Sequence, residues 1–230
     1  MDEFREFDWD DRLIRAAREG CLPRTRVYCP NQVAVVLGRG SKPDVELHLD
    51  RIVVDSVPVM RRRGGGCSVV LDPGNLIASV AIPIPGVGGI SPAYDRITEW
   101  LIAALETLNV YGVRREGTSD FALGGKKVGG SCIYRTLGLL YYTTTLLFEP
   151  ELSLVERYLK HPPREPGYRA GRSHGEFMGS LKGNIDAANA SEFAIDLNRA
   201  LNDSMRSVLE LGVTGNRTSK TQPENQRKVQ

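Results

Sequence analysis

Residues 61–85 read RRRGGGCSVVLDPGNLIASVAIPIP. Three arginines, Arg61 to Arg63, run into Gly64, Gly65 and Gly66, and a β-branched run follows. Asp72-Pro73-Gly74-Asn75 supplies turn chemistry, and a second apolar run comes after it. The stretch reads as loop, strand, turn, strand. Glycines let a backbone approach a ligand closely and aim its N–H groups at it. Adjacent arginines grip carboxylate or phosphate with two parallel bonds. The loop therefore suits an anion, although a solvated basic turn accounts for it equally well when it is taken alone. No Gly-Lys-Ser/Thr follows, so it is not a phosphate-binding P-loop. No Gly-x-Gly-x-x-Gly opens a helix, so it is not a dinucleotide fingerprint.

Outward from this stretch the elements alternate irregularly. Residues 10–19 place Leu13, Ile14, Ala16 and Ala17 at helical spacing, with Gly20 as a stop. Residues 25–37 read as strand with a turn at Pro30-Asn31, and 44–51 as a short helix. The β-branched run 52–60 contains Pro58, which marks an edge or a break. After Ser91-Pro92 the clearest helical period begins, with Ile97, Leu101, Ala104, Leu105 and Leu108 in phase and Gly112 as its stop. Residues 119–148 contain three strand-like segments, and 152–159 fit one short helix. A Pro/Gly/Arg-rich loop covers 160–175, and a last helix covers about 191–211. Beyond Gly212 the composition is polar and aperiodic, which predicts a disordered tail over 213–230 after one domain over 1–212. Strands dominate the middle without regular strand–helix alternation. That pattern predicts an α+β fold with a mixed, mostly antiparallel sheet and flanking helices.

Composition narrows the function. The 230 residues carry a net charge of +2, which gives no general case for nucleic acid or a membrane surface. The basic clusters Arg61–Arg63 and Arg114-Arg115 lack interleaved aromatics, so nucleic-acid binding is not expected. No apolar run approaches the ~20 residues of a membrane span. The acidic, aromatic start of the chain does not read as a secretory signal. Cys21, Cys29, Cys67 and Cys132 show no paired metal spacing and read as reduced thiols of a cytoplasmic protein. With three histidines and no Gly-x-Ser-x-Gly elbow, neither a histidine-based metal site nor a serine hydrolase is expected.

A second glycine-flanked cation follows at Asp120…Gly124-Gly125-Lys126-Lys127-Val128-Gly129-Gly130-Ser131. Two such segments, each opening a strand, imply one anionic pocket between them. Arg61, Arg62, Gly65, Gly66, Asp72, Gly74 and Asn75 fit the pattern Arg-Arg-x-x-Gly-Gly-x5-Asp-x-Gly-Asn. Asp120, Lys127, Val128, Gly130 and Ser131 fit an Asp…Lys-[Val/Ile]-x-Gly-[Ser/Thr] segment. Together they resemble the lipoate-protein ligase family over roughly residues 20–160. The resemblance implies the biotin/lipoate ligase-like α+β fold, related to the catalytic core of class II aminoacyl-tRNA synthetases. It implies ATP-dependent activation of lipoate or octanoate as acyl-AMP and transfer to a lysine of an apo lipoyl carrier, with Mg²⁺ as the partner of ATP and no protein-caged metal. Lys127 would contact the adenylate phosphate and acyl carbonyl. Arg62 and the backbone Gly65, Gly66, Cys67, Ser68, Val69 and Val70 would cradle the nucleotide. Asn75, Asp120, Gly130 and Ser131 would complete the site, and the acyl chain would lie near Val69 and Val128.

The sequence departs from the family at Cys67, where the third motif glycine would stand, at Leu71 for a histidine, and at Tyr142-Thr143-Thr144. The accessory domain of longer ligases has no counterpart, which implies a one-domain ligase or a separate subunit. Two rivals share the fold. An ATP-independent octanoyl or lipoyl transferase would hold its acyl group on cysteine. The known positions fall on Leu139 and near Glu116, and Cys67 and Cys132 are the alternatives. A non-catalytic adenylate- or carrier-binding protein is the other. The loop Tyr168–His174 reads either as a cover whose Arg169 or Arg172 reaches phosphate or as a plain surface loop.

Overall fold

The computed structural model describes residues 4–84, 90–136, 138–185 and 187–213. Among these, β-structure forms two sheets. The smaller contains β1 (Arg5–Glu6), β3 (Ala34–Leu37), β4 (Val59–Arg61) and β5 (Val69–Leu71), in the order β1-β4-β3-β5. Its β1–β4 and β3–β4 pairs are parallel, and β3–β5 is antiparallel. The larger is antiparallel, in the order β2-β6-β10-β9-β8-β7. Its strands are β2 (Arg24–Tyr28), β6 (Asn75–Pro83), β7 (Arg114–Glu116), β8 (Asp120–Leu123), β9 (Lys126–Thr136) and β10 (Leu139–Leu147). The expected α+β class with a mixed, mostly antiparallel sheet is what the chain forms.

Strand β6 shows why both faces of the large sheet are covered. Leu76, Ala78, Val80 and Ile82 face one layer with period two. There they meet Ile97, Leu101 and Leu105 of α4 (Ile90–Thr107) and Phe193 and Leu197 of α7 (Ala190–Val213). Ala81 faces the other way, onto Leu13, Ile14 and Ala17 of α1 (Asp11–Gly20). Helix α1 ends as its sequence implies, with Cys21 after Gly20 in the left-handed region. Beneath α1 the buried Asp10 accepts hydrogen bonds from Ser79 Oγ at 2.6 Å and from the Tyr141 hydroxyl at 2.7 Å. These bonds satisfy a carboxylate that would otherwise be costly to bury.

Several boundaries differ from the sequence reading. The 25–37 segment divides at Pro30-Asn31 into β2 and β3, which join different sheets. The expected helix 44–51 is two short turns, α2 (Pro43–Glu46) and α3 (Leu49–Val54), separated where Leu47 bridges Leu159. Ile52 to Val54 therefore close a helix despite their β-branching. Ile52 gains a core with Leu47, Val155 and Tyr158, while Val53 and Val54 stay exposed. Tertiary burial outweighs the small intrinsic preference. Helix α4 starts at Ile90, so Ser91 lies inside it and is not its cap, and it ends before Asn109, which takes φ 64°. The described chain continues helical through Val213, and the expected tail from 214 onward lies outside the described residues. Helices α5 (Leu152–Tyr158) and α6 (His174–Phe177) flank the 160–173 segment. All four cysteines are free thiols. Among the described residues no helix is long and apolar enough to cross a membrane.

Candidate active site

The loop between β4 and β5 is built by its arginines from within. Arg62 Nη2 donates to Gly65 O and Cys67 O, both at 2.8 Å, and its Nη1 donates to Val36 O at 3.2 Å. Arg61 Nη1 donates to Gly38 O at 2.9 Å and Ser41 O at 3.0 Å. Arg63 turns away to Glu6, Asp11 and the Tyr134 hydroxyl. The remaining carbonyls are also engaged: Gly64 O accepts from Arg39 N at 2.9 Å, and Gly66 O from Ser41 Oγ at 3.3 Å. By contrast, the N–H groups of Gly65, Gly66 and Cys67 have no protein acceptor among the described residues. A turn whose N–H groups are left without a protein acceptor, beside carbonyls held from within by Arg62, can present those donors to an anion. Gly66 takes φ +94°, and a Cβ at Gly38 would stand 1.8 Å from Gly66 O, so the two backbone segments touch.

The lysine segment is aimed by an irregularity. Phe121 pairs Gly129 and Ala122 pairs Lys127, which leaves Val128 as an extra residue in β9. A bulge of this kind re-aims the side chains on either side of it. On a regular strand Lys127 and Gly130 would face opposite ways. Here a Cβ on Gly130 would lie 3.1 Å from Lys127 Nζ, so the ammonium crosses the bare glycine. Lys127 Nζ reaches Asp120 Oδ1 at 2.7 Å, and Asp120 Oδ2 accepts from the Tyr168 hydroxyl at 3.0 Å. Burial, and then the charge of Asp120, pushes the Tyr168 hydroxyl far above its ordinary range. Its neighbour Lys126 is exposed and passes beside Gly179.

The two segments meet at Gly64, where an added Cβ would lie 2.5 Å from Cys132 Sγ on β9. Arg62 and Lys127 both act electrostatically on Cys67, and Arg62 also acts on Cys132. Burial is nonetheless the larger influence on both thiols and pushes them upward; Glu46 adds to this at Cys67.

Other expected residues are placed less directly. Val69 and Val70 pair in the β3–β5 ladder, and Val70 packs with Val35, Leu37 and Leu47. Val128 belongs to the main core with Phe121 and Leu146, so it does not line an open slot. The Ser68 N–H is taken by Glu46 at 2.7 Å, so of the backbone expected to cradle a nucleotide this donor is already engaged. Asn75 is buried and donates to Asp72 Oδ2 at 2.5 Å, fixing the turn whose Gly74 abuts Glu149 O. Ser131 is engaged by the Tyr94 hydroxyl and donates to Ser119 O at 3.0 Å. In the loop that follows, Arg172 donates to Tyr168 O at 2.7 Å. Arg169 is 4% exposed, lies over the Phe177 ring and leaves Nη2 without a partner among the described residues. His174 contacts Lys160 O at 3.2 Å, and burial lowers its pKa. Sequence reasoning missed Glu46, Gly38 and the Tyr168–Asp120 bond, whose partners lie 22 to 48 residues apart and carry no local signal. Among the described residues no three histidine, cysteine or carboxylate side chains converge as a metal-ligand set.

With this geometry in view, comparison with known proteins is decisive at one level. The family model of the lipoyl protein ligase A/B catalytic domain matches residues 2–200. The chain belongs to that family. It is 29% identical over 150 residues to the probable lipoate-protein ligase A of Mycoplasma genitalium, and 28% identical over 155 residues to a lipoate–protein ligase of Streptococcus pyogenes. These matches cover 65% and 67% of this chain but 44% of each relative, so the chain spans under half the length of these curated relatives. The fold matches a bipartite lipoate protein ligase from Thermoplasma acidophilum, at TM-score 0.70 and 20% identity, over 90% of this chain and 85% of that one. It also matches a lipoate-protein ligase A bound with ATP, at TM-score 0.70 and 21% identity, over 86% and 78%. Family membership thus accounts for the paired loop and lysine segments, which come from the two different sheets and meet at Gly64 and Cys132.

Proposed function

We propose that this chain is the catalytic domain, over about residues 1–212, of an ATP-dependent lipoate-protein ligase. It would join lipoate or octanoate to a lysine of an apo lipoyl carrier. The observation that supports this most is the pairing of unsatisfied N–H donors at Gly65–Cys67 with Lys127 beyond Gly64 and Cys132. In the first step a carboxylate oxygen attacks the α-phosphorus of ATP, and the bond to pyrophosphate breaks. In the second the carrier amine attacks the acyl carbonyl, the bond to AMP breaks, and the amine loses a proton. Both steps gather negative charge on phosphate or carbonyl oxygens, which preorganised donors stabilise. Lys127 and the loop N–H groups would meet that charge, and Arg62 would hold the loop in shape. On arrival of the anion Lys127 would exchange Asp120 for the ligand, with Tyr168 continuing to satisfy the carboxylate.

Mg²⁺ would enter with ATP, which keeps most of its coordination on water and phosphate. A single carboxylate fits that demand, so Asp120 would be its protein ligand, supplying charge neutralisation at the phosphates. The relatives are more than twice as long as the stretch they share with this chain, so an accessory domain or separate subunit would complete the cycle. The T. acidophilum ligase is described as bipartite and acting with its E2 lipoyl domain, which makes a lipoyl domain the first carrier to try.

The test is mass spectrometry of apo-carriers incubated with the chain, each acid, and ATP. The expected result is acid- and ATP-dependent carrier acylation with release of AMP and pyrophosphate. Equal acylation from an acyl-carrier thioester without ATP would replace the ligase with a transferase. The proximity of Cys67 to Lys127 and Arg62 is what that rival would use, against the upward push of burial on its thiol.

A further inference from the structure

Glu46 ends α2 and is 7% exposed, and its carboxyl group plays no part in the mechanism above. Its Oε2 accepts from Ser68 N and Ser68 Oγ, both at 2.7 Å, and from Ser41 Oγ at 3.0 Å. Ser41 Oγ also lies 3.3 Å from Gly66 O. Among the described residues no cation pairs with this carboxylate within salt-bridge distance. A buried, unpaired anion opposes folding. Placed beside a loop with unsatisfied donors, it also opposes the binding of another anion. Its field reaches the loop, since it helps hold the Cys67 thiol upward.

One thing a carboxylate offers in return is a single oxygen able to accept several donors at once. Three donors converge on Oε2 here, two of them from Ser68, just after the donor-rich turn, and one from Ser41, which reaches back under Gly66. The Ser68 N–H is thereby turned inward. That fixes the peptide joining Cys67 to Ser68, at the end of the donor-bearing turn, whose carbonyl Arg62 holds from the other side. The backbone from Glu46 continues the connection: Glu46 O accepts from Lys160 N at 2.9 Å, where the segment leading to Tyr168 begins.

We propose that Glu46 is a positioning residue of the anion-binding turn, fixing the N–H groups of Gly65, Gly66 and Cys67 in the orientation that receives the substrate carboxylate or phosphate. This rests on the ligase reading above. The structure predicts that hydrogen-bond acceptance, and not negative charge, is the useful property.

The test compares the full wild-type chain with Glu46→Gln, Glu46→Ala and Ser41→Ala. Two readouts are taken: amide hydrogen exchange over residues 64–68 without ligand, and equilibrium binding of ATP and of lipoate. In Glu46→Ala the Ser68 amide, which loses its acceptor, should exchange about tenfold or more faster, and ligand affinity should fall about 10–100-fold, as expected for misplaced donors. Glu46→Gln, whose amide oxygen can still accept from Ser68, should keep slow exchange and bind at least as tightly as wild type. Ser41→Ala should fall between them, and it decides the matter if Glu46→Ala does not fold. Unchanged loop exchange in Glu46→Ala, or in Ser41→Ala where it stands in, overturns the proposal. Faster exchange with unaltered affinity also overturns it. So does a loss in Glu46→Gln equal to that in Glu46→Ala, because charge would then be the useful property. Failure of wild type to bind either probe is a different result, which removes the ligase reading and the proposal with it.

Discussion

Replacing Lys127 by Ala removes two things at once, and the structure separates them. The ammonium lies 2.7 Å from Asp120, with side-chain exposures of 27% and 8%, so the pair sits on the buried side of the surface. Removing Lys127 leaves a nearly buried carboxylate with only the Tyr168 hydrogen bond, and stranding a charged group costs about 1–3 kcal/mol. In a domain of this size that lowers Tm by about 3–10 °C. The loss of a preorganised donor to a developing oxyanion costs about 2.7–4 kcal/mol of transition-state stabilisation, or 10²–10³ in rate. Single-turnover acylation of the carrier reads the second effect, and thermal unfolding reads the first. Adding Asp120→Asn to Lys127→Ala should recover part of the stability and none of the rate. Lys126→Ala, on an exposed neighbour, should change stability by less than about 0.5 kcal/mol and leave the rate near wild type. Equal rate losses for Lys126→Ala and Lys127→Ala would refute the assignment of one lysine. Full stability in Lys127→Ala would refute the energetic role of the pair.

Gly130→Ala should slow acylation while leaving the protein folded, because its Cβ would stand 3.1 Å from Lys127 Nζ and push the ammonium off the strand; steady-state kinetics beside circular dichroism would check it. Cys67→Ser and Cys132→Ser should each retain substantial ligation, since burial keeps both as thiols; complete loss of activity in a folded variant, with an acyl adduct on the wild-type cysteine by mass spectrometry, would contradict this. Asp55 is held down to about 2 by hydrogen bonds from Arg157 and then Tyr158. A folded pKa below the unfolded carboxylate value of about 3.9 contributes stability above that value and loses it as pH falls toward 2. Asp55→Asn should therefore be less stable than wild type at pH 6, with the gap closing by pH 2 in urea melts.

The sequence by itself determined the large antiparallel sheet, the two long helices and the two segments that bear the candidate site. Those features are local. Apolar strand runs such as 75–83, the 3.6-residue phase of Ile97, Leu101 and Leu105, and turn residues such as Gly74 follow from a few neighbouring side chains. Only the tertiary structure decided that Ile52 closes a helix, because its burial depends on Val155 and Tyr158, a hundred residues away. Only the structure showed that Arg62 shapes the loop from inside, that an extra residue at Val128 turns Lys127 across Gly130, and that Glu46 fastens Ser68. Each depends on something outside its own segment: Arg62 also donates to Val36 O, β8 sets the register of β9, and Glu46 lies 22 residues from Ser68. Such partners meet only once the sheets have formed, and no spacing within the sequence records them.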